Sequence, residues 1–486
     1  MSEHRNKTIQ GFVWSAIQKI GATSLSFIVM IILARLLSPS DFGLVAMLSI
    51  FIQISERIVE SGLGQALIQK KNIDETDYSS VFFLNVAISL ILYILLFLCA
   101  PLIGTFFKQD ALVSLLRVMS CVFVINSFSL VQETKIKKEL AFKKLTIIQI
   151  PSTIIGGIVS ILMAYNSLGV WSIVGLQIST RLAYSIQLWI YSNWIPTWEF
   201  NVERIRILFG FGGRMLLSTI ITAVYNNILT IIIGKNYAVS QVGFYQNAKT
   251  LAMTPSTTIK SIADSVTFPS FSLLQNENKK LKQAYKKVMR VLVFWMLPLF
   301  VFSAIVGNSI IEFILGEKWN PSTIYFQLLC CIAILSPLVN YNLNILKIKG
   351  EAGLFLKVQI YRRVITLIAL SVSLIYSFGI IGLLFVECLS YFLSFIIFGH
   401  IAGRLIGYNL KEQILDKTST LILTGSVSCL LYFLNSRLSL ESDLLIILLT
   451  FLIGFGFYFL VAFFFKFNAF KESWFVIKSF IKKPGR

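Results

Sequence analysis

The chain has 486 residues, 56% of them hydrophobic and only 14% charged, with a mean hydropathy of +0.78. Soluble globules carry about 45–50% apolar and about 25% charged residues, and β-barrel strands alternate over about 10 residues, so both are excluded in favour of an all-α polytopic membrane protein. Lys and Arg exceed Asp and Glu by 43 to 23, which reads as the cytoplasmic charge bias of membrane proteins; nucleic-acid binding would need a soluble basic domain, and the chain has none.

Fourteen spans are predicted in chain order. The first, 11–37, follows a charged start with no small-residue cleavage site, so it reads as a helix and not as a removed signal. Next come 41–69, 78–107, 111–133, 145–165 and 169–194, followed by a polar, Trp-rich link at 193–203. The seventh span is 204–234, and the eighth begins at Val242-Gly243-Phe244 and runs to Pro269. The last six are 288–315, 322–346, 355–378, 380–406, 418–434 and 444–465. After Lys466, Phe467, Phe470, Trp474, Ile477 and Ile481 recur at helical spacing opposite Lys471, Lys478 and Lys482. This predicts an amphipathic helix on the inner leaflet.

The basic loops fall almost entirely on one side; the other carries only Arg35, Lys108, Lys235, Lys318 and Arg437. Both termini are therefore expected in the cytoplasm. The six cysteines lie inside apolar runs without metal-ligand spacing, and His4 and His400 are far apart, so neither a metal site nor a His-based triad is expected.

The eighth span is long enough to cross a bilayer, yet it carries Asn247, Lys249, Thr254, Ser256, Lys260, Asp264 and others. A charge at mid-membrane costs roughly 2.5–3.5 kcal/mol, so this helix must face protein or water. It has an earlier echo. Ile31-Ile32-Leu33-Ala34-Arg35 aligns with Ile231-Ile232-Ile233-Gly234-Lys235, and without a gap Gly43 falls on Gly243. A looser echo pairs Lys135-Ile136-Lys137-Lys138-Glu139 with Lys347-Ile348-Lys349-Gly350-Glu351.

Helices one to six thus repeat as seven to twelve. The expected organisation is an N-terminal lobe (1–194), a C-terminal lobe (195–411), two added helices (412–466) and a basic cytoplasmic tail (467–486). The two pseudo-symmetric lobes would form a V-shaped cleft about an axis along the membrane normal. Gln53, Glu56, Arg57, Glu60 and Gly64 share one stripe of the second helix, and Lys249, Met253, Ser256, Lys260 and Asp264 share one of the eighth. The alignment sets Glu60 opposite Lys260. Two readings are open: an ion-pair network that locks the lobes, or a substrate or gating site.

Val202-Glu203-Arg204, then Phe209-Gly210-Phe211-Gly212-Gly213-Arg214, resembles the start of the seventh helix in bacterial polysaccharide exporters. Ile232-Ile233-Gly234-Lys235, Val242-Gly243-Phe244-Tyr245, Leu251-Ala252-Met253-Thr254-Pro255 and Thr267-Phe268-Pro269 resemble the same family over the seventh-helix end and the eighth helix. Ala34-Arg35-Leu36-Leu37-Ser38-Pro39-Ser40-Asp41-Phe42-Gly43 is similar to the family's first hairpin, and Ser61-Gly62-Leu63-Gly64-Gln65 also fits. These exporters are the lipid-linked oligosaccharide flippases of the multidrug/oligosaccharidyl-lipid/polysaccharide exporter superfamily.

The resemblance implies an inner-membrane protein, not an enzyme, that moves undecaprenyl-diphosphate-linked oligosaccharide from the cytoplasmic to the periplasmic leaflet by alternating access. It implies the bilayer and the lipid-linked glycan as partners, with polysaccharide polymerase and glycosyltransferases working alongside. No cofactor is implied; the drive would come from H+, Na+ or the membrane potential. A peptidoglycan lipid-precursor flippase and a multidrug antiporter are the alternatives within the same superfamily. The antiporter would favour an anionic or aromatic pocket, whereas the intramembrane charge here is cationic.

Given that substrate, Arg57, Arg214, Lys249 and Lys260 are expected to meet diphosphate and sugar, with Arg181 next. Glu56, Glu60 and Asp264 would close the empty path or couple to an ion, and Glu387 in the twelfth helix is a further carboxyl of that kind. The family pattern carries an Asp five residues before the Gly that ends the seventh helix. This chain has Leu229 there, with Asn226 and Asn227 as the nearest polar groups, so those amides are the substrate-facing candidates of that helix.

Overall fold

The computed structural model describes residues 2–60, 63–70, 73–192, 194–437 and 442–481; side chains are described except at 2–13, 15, 16, 60, 65, 207–218, 266 and 475–481. Every regular element among these residues is helical. That is the outcome lipid demands, because a helix satisfies its backbone polar groups within one segment.

By internal contacts the chain forms two compact units, Met1–Gln246 and Asn247–Arg486. The first holds α1 (Ser2–Leu36), α2 (Pro39–Glu60), α3 (Leu63–Gln69), α4 (Glu75–Phe107), α5 (Ala111–Met119) and α6 (Cys121–Ser127). It continues with α7 (Leu130–Lys138), α8 (Phe142–Tyr165), α9 (Trp171–Ser192), α10 (Val202–Asn226) and α11 (Ile228–Asn236). The long α12 (Val239–Leu273) starts in the first unit and runs into the second. The second unit holds α13 (Asn278–Ile305), α14 (Gly307–Leu315), α15 (Thr323–Ile348), α16 (Ala352–Ile375), α17 (Gly379–Ile406), α18 (Leu410–Arg437), α19 (Asp443–Phe464) and α20 (Asn468–Ile481).

Among the described residues, ten helices are long and apolar enough to cross a membrane. The bent pair Ala111–Ser127 and Leu130–Lys138, angled by 42°, adds an eleventh if it is one span. The remaining expected spans are helical, as α9, α10 with α11, and α12, but they are not among those ten. Length and apolarity therefore do not establish the expected count of fourteen. The reason is plainest in α12, whose Lys249, Lys260 and Asp264 lower its apolarity. Two expected single spans are interrupted: the fourth at Ser120 and at Phe128–Ser129, the seventh at Asn227.

The contact boundary at 246/247 lies beyond the lobe boundary expected at 194/195, and the link and α10 are stitched to the first unit. Asp74 caps α4 by accepting from the Asp77 backbone N–H, with Asp77 returning the bond in a capping box. Asn201 caps α10 by accepting from the N–H groups of Glu203 and Arg204. Between these caps, Arg204 pairs with Asp74 and lies 3.4 Å from Asp77. The Trp194 indole donates to Glu75 at 2.5 Å, and the Thr197 and Asn201 backbone N–H groups donate to Ser79 and Ser80 at 2.9 and 3.0 Å. Trp194 also packs with Leu63, Leu67, Tyr78, Phe82 and Val131.

The Arg204 hydrogen bond holds the Asp74 carboxyl down at about 2 from its ordinary 3.8. A depressed carboxyl stabilises the fold above its unfolded value, and that contribution is lost as pH falls from about 4 through about 2. In Arg204→Gln the carboxyl should protonate nearer pH 4, and this contribution, with its loss between about pH 4 and about 2, should be largely absent. Fluorine NMR of fluorotryptophan-labelled protein, read at Trp194, checks this; identical acid titrations of the two proteins would refute it.

The second unit has its own core, where Phe294 and Phe302 meet Leu423, Val427, Leu431, Tyr458 and Ala462. The expected tail helix forms as α20. Its described part rests on protein: Glu472 pairs with Arg290 at 3.0 Å, the Trp295 indole donates to Ser473 at 3.2 Å, and Phe470 lies beside Phe294 and Phe459. Ile477, Ile481, Lys478 and Lys482 lie outside the described side chains.

The hairpin echo has a physical counterpart. A Cβ placed on Gly43 would stand 2.1 Å from the Val239 carbonyl oxygen, and one on Gly243 would stand 1.9 Å from that of Pro39. In the repeat alignment Pro39 and Val239 are equivalent, as are Gly43 and Gly243. The N-terminal turns of α2 and α12 therefore touch reciprocally, as a local two-fold requires.

Candidate functional site

In the first unit a cavity of about 500 Å³ opens among α1, α2, α5, α6, α8 and α9. Many of its wall residues are polar. α2 contributes Ser49, Gln53 and Glu56; α8 contributes Gln149 and Thr153; α9 contributes Gln177, Thr180 and Arg181. Each set recurs at three- or four-residue steps, which puts it on one helix face. Val29, Ile52 and Leu176 complete the wall with apolar surface.

Among the described lining residues the opposite charges are Glu56 and Arg181, whose Oε1 and Nη2 atoms lie 3.6 Å apart. Both are half-buried, at 26% and 39% exposure. That distance is a loose ion pair, compatible with exchange for another anion. Gln53 extends the polar wall toward α10, because its Oε1 accepts from Asn227 Nδ2 at 3.0 Å. Asn227 is buried and also donates to the Ala223 carbonyl, so it is a structural tie at the α10–α11 break.

The second unit brings together two further sets. On α12, Lys260 and Asp264 stand one turn apart as charge partners, with Lys347 of α15 also within reach of Lys260. Asp264 accepts from Asn344 Nδ2 at 3.0 Å. Higher on α12, Lys249 and Glu387 of α17 are charge partners, and Arg362 of α16 acts on the same carboxylate. Glu387 Oε2 is buried with no hydrogen bond.

The predicted set is thus distributed. Glu56, Arg181 and Asn227 belong to the first-unit group; Lys260 and Asp264 form one second-unit group; Lys249 and Glu387 form another. Arg57 is exposed on α2 and does not line the cavity, since one residue along a helix turns it about 100° from Glu56. Asn226 is likewise exposed, whereas its neighbour is buried. The side chains of Glu60 and Arg214, and with them the expected pairing of Glu60 with Lys260, lie outside the described residues.

Sequence reasoning missed Arg362. It stands in an Arg-Arg pair near a cytoplasmic loop and reads as part of the inside charge, yet its Nε and Nη2 atoms are buried. The available signal was its position well inside an apolar run, more than two turns from Ala352. It also missed Gln149, Thr153 and Gln177, whose face is visible in spacing but not in charge.

The family model described as polysaccharide biosynthesis protein matches residues 32–324, more than half of the chain. The chain belongs to the polysaccharide biosynthesis protein family. It is similar to the lipopolysaccharide biosynthesis protein WzxC of Escherichia coli, at 23% identity over 418 residues that cover 85% of this chain and 84% of the relative. It is also similar to the teichuronic acid biosynthesis protein TuaB of Bacillus subtilis, at 24% identity, covering 71% and 72%. A third relative is the succinoglycan biosynthesis transport protein ExoT of Rhizobium meliloti, at 26% identity, covering 63% and 62%.

The fold is that of solved transporters. The inward closed lipid II flippase MurJ superposes with a TM-score of 0.73 over 94% of this chain and 99% of that one, at 14% identity. An inward-facing multidrug resistance MATE family transporter gives 0.60, covering 81% and 98%, at 15% identity. This family member is a membrane protein of that architecture.

Proposed function

We propose that the protein is a flippase that carries lipid-linked oligosaccharide, a polysaccharide repeat unit on undecaprenyl diphosphate, from the cytoplasmic to the periplasmic leaflet. It works by alternating access in the bacterial inner membrane, with both termini in the cytoplasm, and makes or breaks no bond. The observation that carries this is the family membership combined with a polar cavity inside an otherwise apolar bundle. Relatives named for lipopolysaccharide, teichuronic acid and succinoglycan biosynthesis align over most of the chain.

The chemistry fits the substrate class. A diphosphate needs cations and sugar hydroxyls need amides and hydroxyls, while the polyprenyl tail stays in the roughly 30 Å of hydrocarbon. Gln53, Gln149, Gln177, Thr153 and Thr180 offer donors and acceptors to sugars, and Arg181 offers a fork to phosphate oxygens. Lys249 and Lys260 supply cations on α12. Glu56, Asp264 and Glu387 are the internal anions that hold those cations when no substrate is bound. The drive is H+ or Na+ entry or the membrane potential, and polymerase and glycosyltransferases supply and consume the glycan.

Deletion of the gene should abolish surface polysaccharide and leave lipid-linked glycan on the cytoplasmic face of the membrane. Full surface polysaccharide in the deletion strain would overturn the proposal. Rescue of cell-wall synthesis in a strain depleted of its lipid II flippase would instead assign the peptidoglycan precursor.

A further inference from the structure

In the second unit Arg362, of intermediate exposure, has one buried guanidinium edge that makes no hydrogen bond. Arg362 lies over the Tyr391 ring, 4.1 Å from its centroid to the guanidinium carbon. Its Nε and Nη2 atoms are buried and donate to nothing. Those two N–H groups form the edge that pairs with two oxygens of one oxyanion. Glu387 sits one helical turn before Tyr391 on α17, and its Oε2 is likewise buried and without a donor. The positive charges of Lys249 and Arg362 both act on the Glu387 carboxyl.

Among the described residues, Glu387 is the carboxylate on which Arg362 acts, and neither its Oε2 nor the Arg362 edge is satisfied. A buried charge left without a partner is costly, and a buried polar edge without an acceptor adds to that cost. The Tyr391 ring lies under the guanidinium and helps to hold it at this position, which reduces the ordering cost of binding. Thr366, one turn on from Arg362, meets Ser390 at 2.5 Å and keeps α16 and α17 in register at this depth.

We propose that Arg362 is an oxyanion-binding residue: its Nε–Nη2 edge takes two oxygens of a diphosphate. Glu387 is the internal counter-charge that the incoming anion displaces. The choice of a diphosphate rests on the flippase reading; the geometry itself requires an oxyanion that presents two oxygens to one edge.

The test uses the full chain in lipid nanodiscs, titrated with inorganic pyrophosphate by calorimetry. The wild type should bind, and Arg362→Gln should weaken binding by about tenfold or more. Arg362→Lys should lose a similar factor, because a point charge lacks the fork. Glu387→Gln should bind more tightly than wild type, since the competing carboxylate is gone. The thermal midpoint of each nanodisc sample reports folding, and the tightened Glu387→Gln variant carries the test should either Arg362 variant fail to fold.

Absent binding by the wild type, equal binding by both Arg362 variants and the wild type, or weaker binding by Glu387→Gln would each overturn the proposal. Binding of glucuronate in place of pyrophosphate would move the site to an acidic sugar and overturn the diphosphate assignment. Pyrophosphate carries neither lipid nor sugar, so this readout is separate from transport. Binding through Arg362 in a protein that flips no glycan would remove the flippase reading and leave the oxyanion site standing.

Discussion

Gly43→Ala and Gly243→Ala should each cost the protein about 3 kcal/mol or more of stability and most of its membrane abundance. In an ordinary helix interior the same change gains about 1 kcal/mol, because alanine is the better helix former. Here the sign reverses. The added methyl would stand 2.1 or 1.9 Å from a backbone carbonyl oxygen of the facing helix, where ordinary contact begins near 3.4 Å. Neither carbonyl can swing aside as a side chain would, since each belongs to the first turn of α2 or α12. Relief would require the two helices to separate, which strips the buried neighbours Val45 and Val242 of contact.

Gly425 provides the control. It lies inside α18, and a Cβ there meets nothing within 4 Å. Gly425→Ala should therefore be neutral or stabilising by up to about 1 kcal/mol. Thermal unfolding in detergent separates the cases; a Gly43→Ala or Gly243→Ala protein as stable as Gly425→Ala would show that the reciprocal contact does not hold the hairpins.

The second large effect is on transport and not on folding. Arg181→Ala should lower polysaccharide export by at least about tenfold at unchanged membrane abundance. The Glu56–Arg181 pair is half-exposed to a polar cavity, so its loss should cost the fold about 1 kcal/mol or less. On the proposed reading, loss of the Arg181 guanidinium would remove a charge-assisted bond to substrate phosphate, and such a bond is worth more than the half-exposed internal pair. Arg181→Lys should fall between, since it keeps the charge and loses the fork. Export at the wild-type level in Arg181→Ala, measured as surface polysaccharide against immunoblotted protein, would exclude the residue from the path.

Several of these features were legible in the sequence and several were not, for identifiable reasons. The fold class follows from long apolar runs alone. The equivalence of Gly43 and Gly243 follows from an ungapped alignment, because turns and glycines are sparse marks in apolar sequence. That the two glycines touch each other's helix was not legible, since a repeat fixes equivalence and not contact. Glu56 and Arg181 were each visible as charges inside spans, but their pairing depends on α2 and α9 both facing one cavity. Arg57 carries a charge beside Glu56, and only helix phase excludes it from that lining. Arg362 was hidden because an Arg pair near a loop has the pattern of a cytoplasmic flank. What sets it apart is tertiary: its guanidinium lies over Tyr391 of another helix, with Nε and Nη2 buried. The break at Asn227 and the stitching of Trp194 to Glu75 are likewise tertiary, and the contact units divide later than the boundary expected from the sequence.

The central claim is movement of a lipid-linked oligosaccharide between leaflets, and it is tested most directly in reconstituted vesicles. Purified protein is placed in liposomes carrying undecaprenyl-diphosphate-linked repeat unit, and the fraction reachable by an external glycan-modifying enzyme is followed over time. The account predicts that wild-type vesicles expose the inner-leaflet pool, while Arg181→Ala vesicles expose it about tenfold more slowly. Wild-type vesicles that expose it no faster than protein-free liposomes would contradict the account.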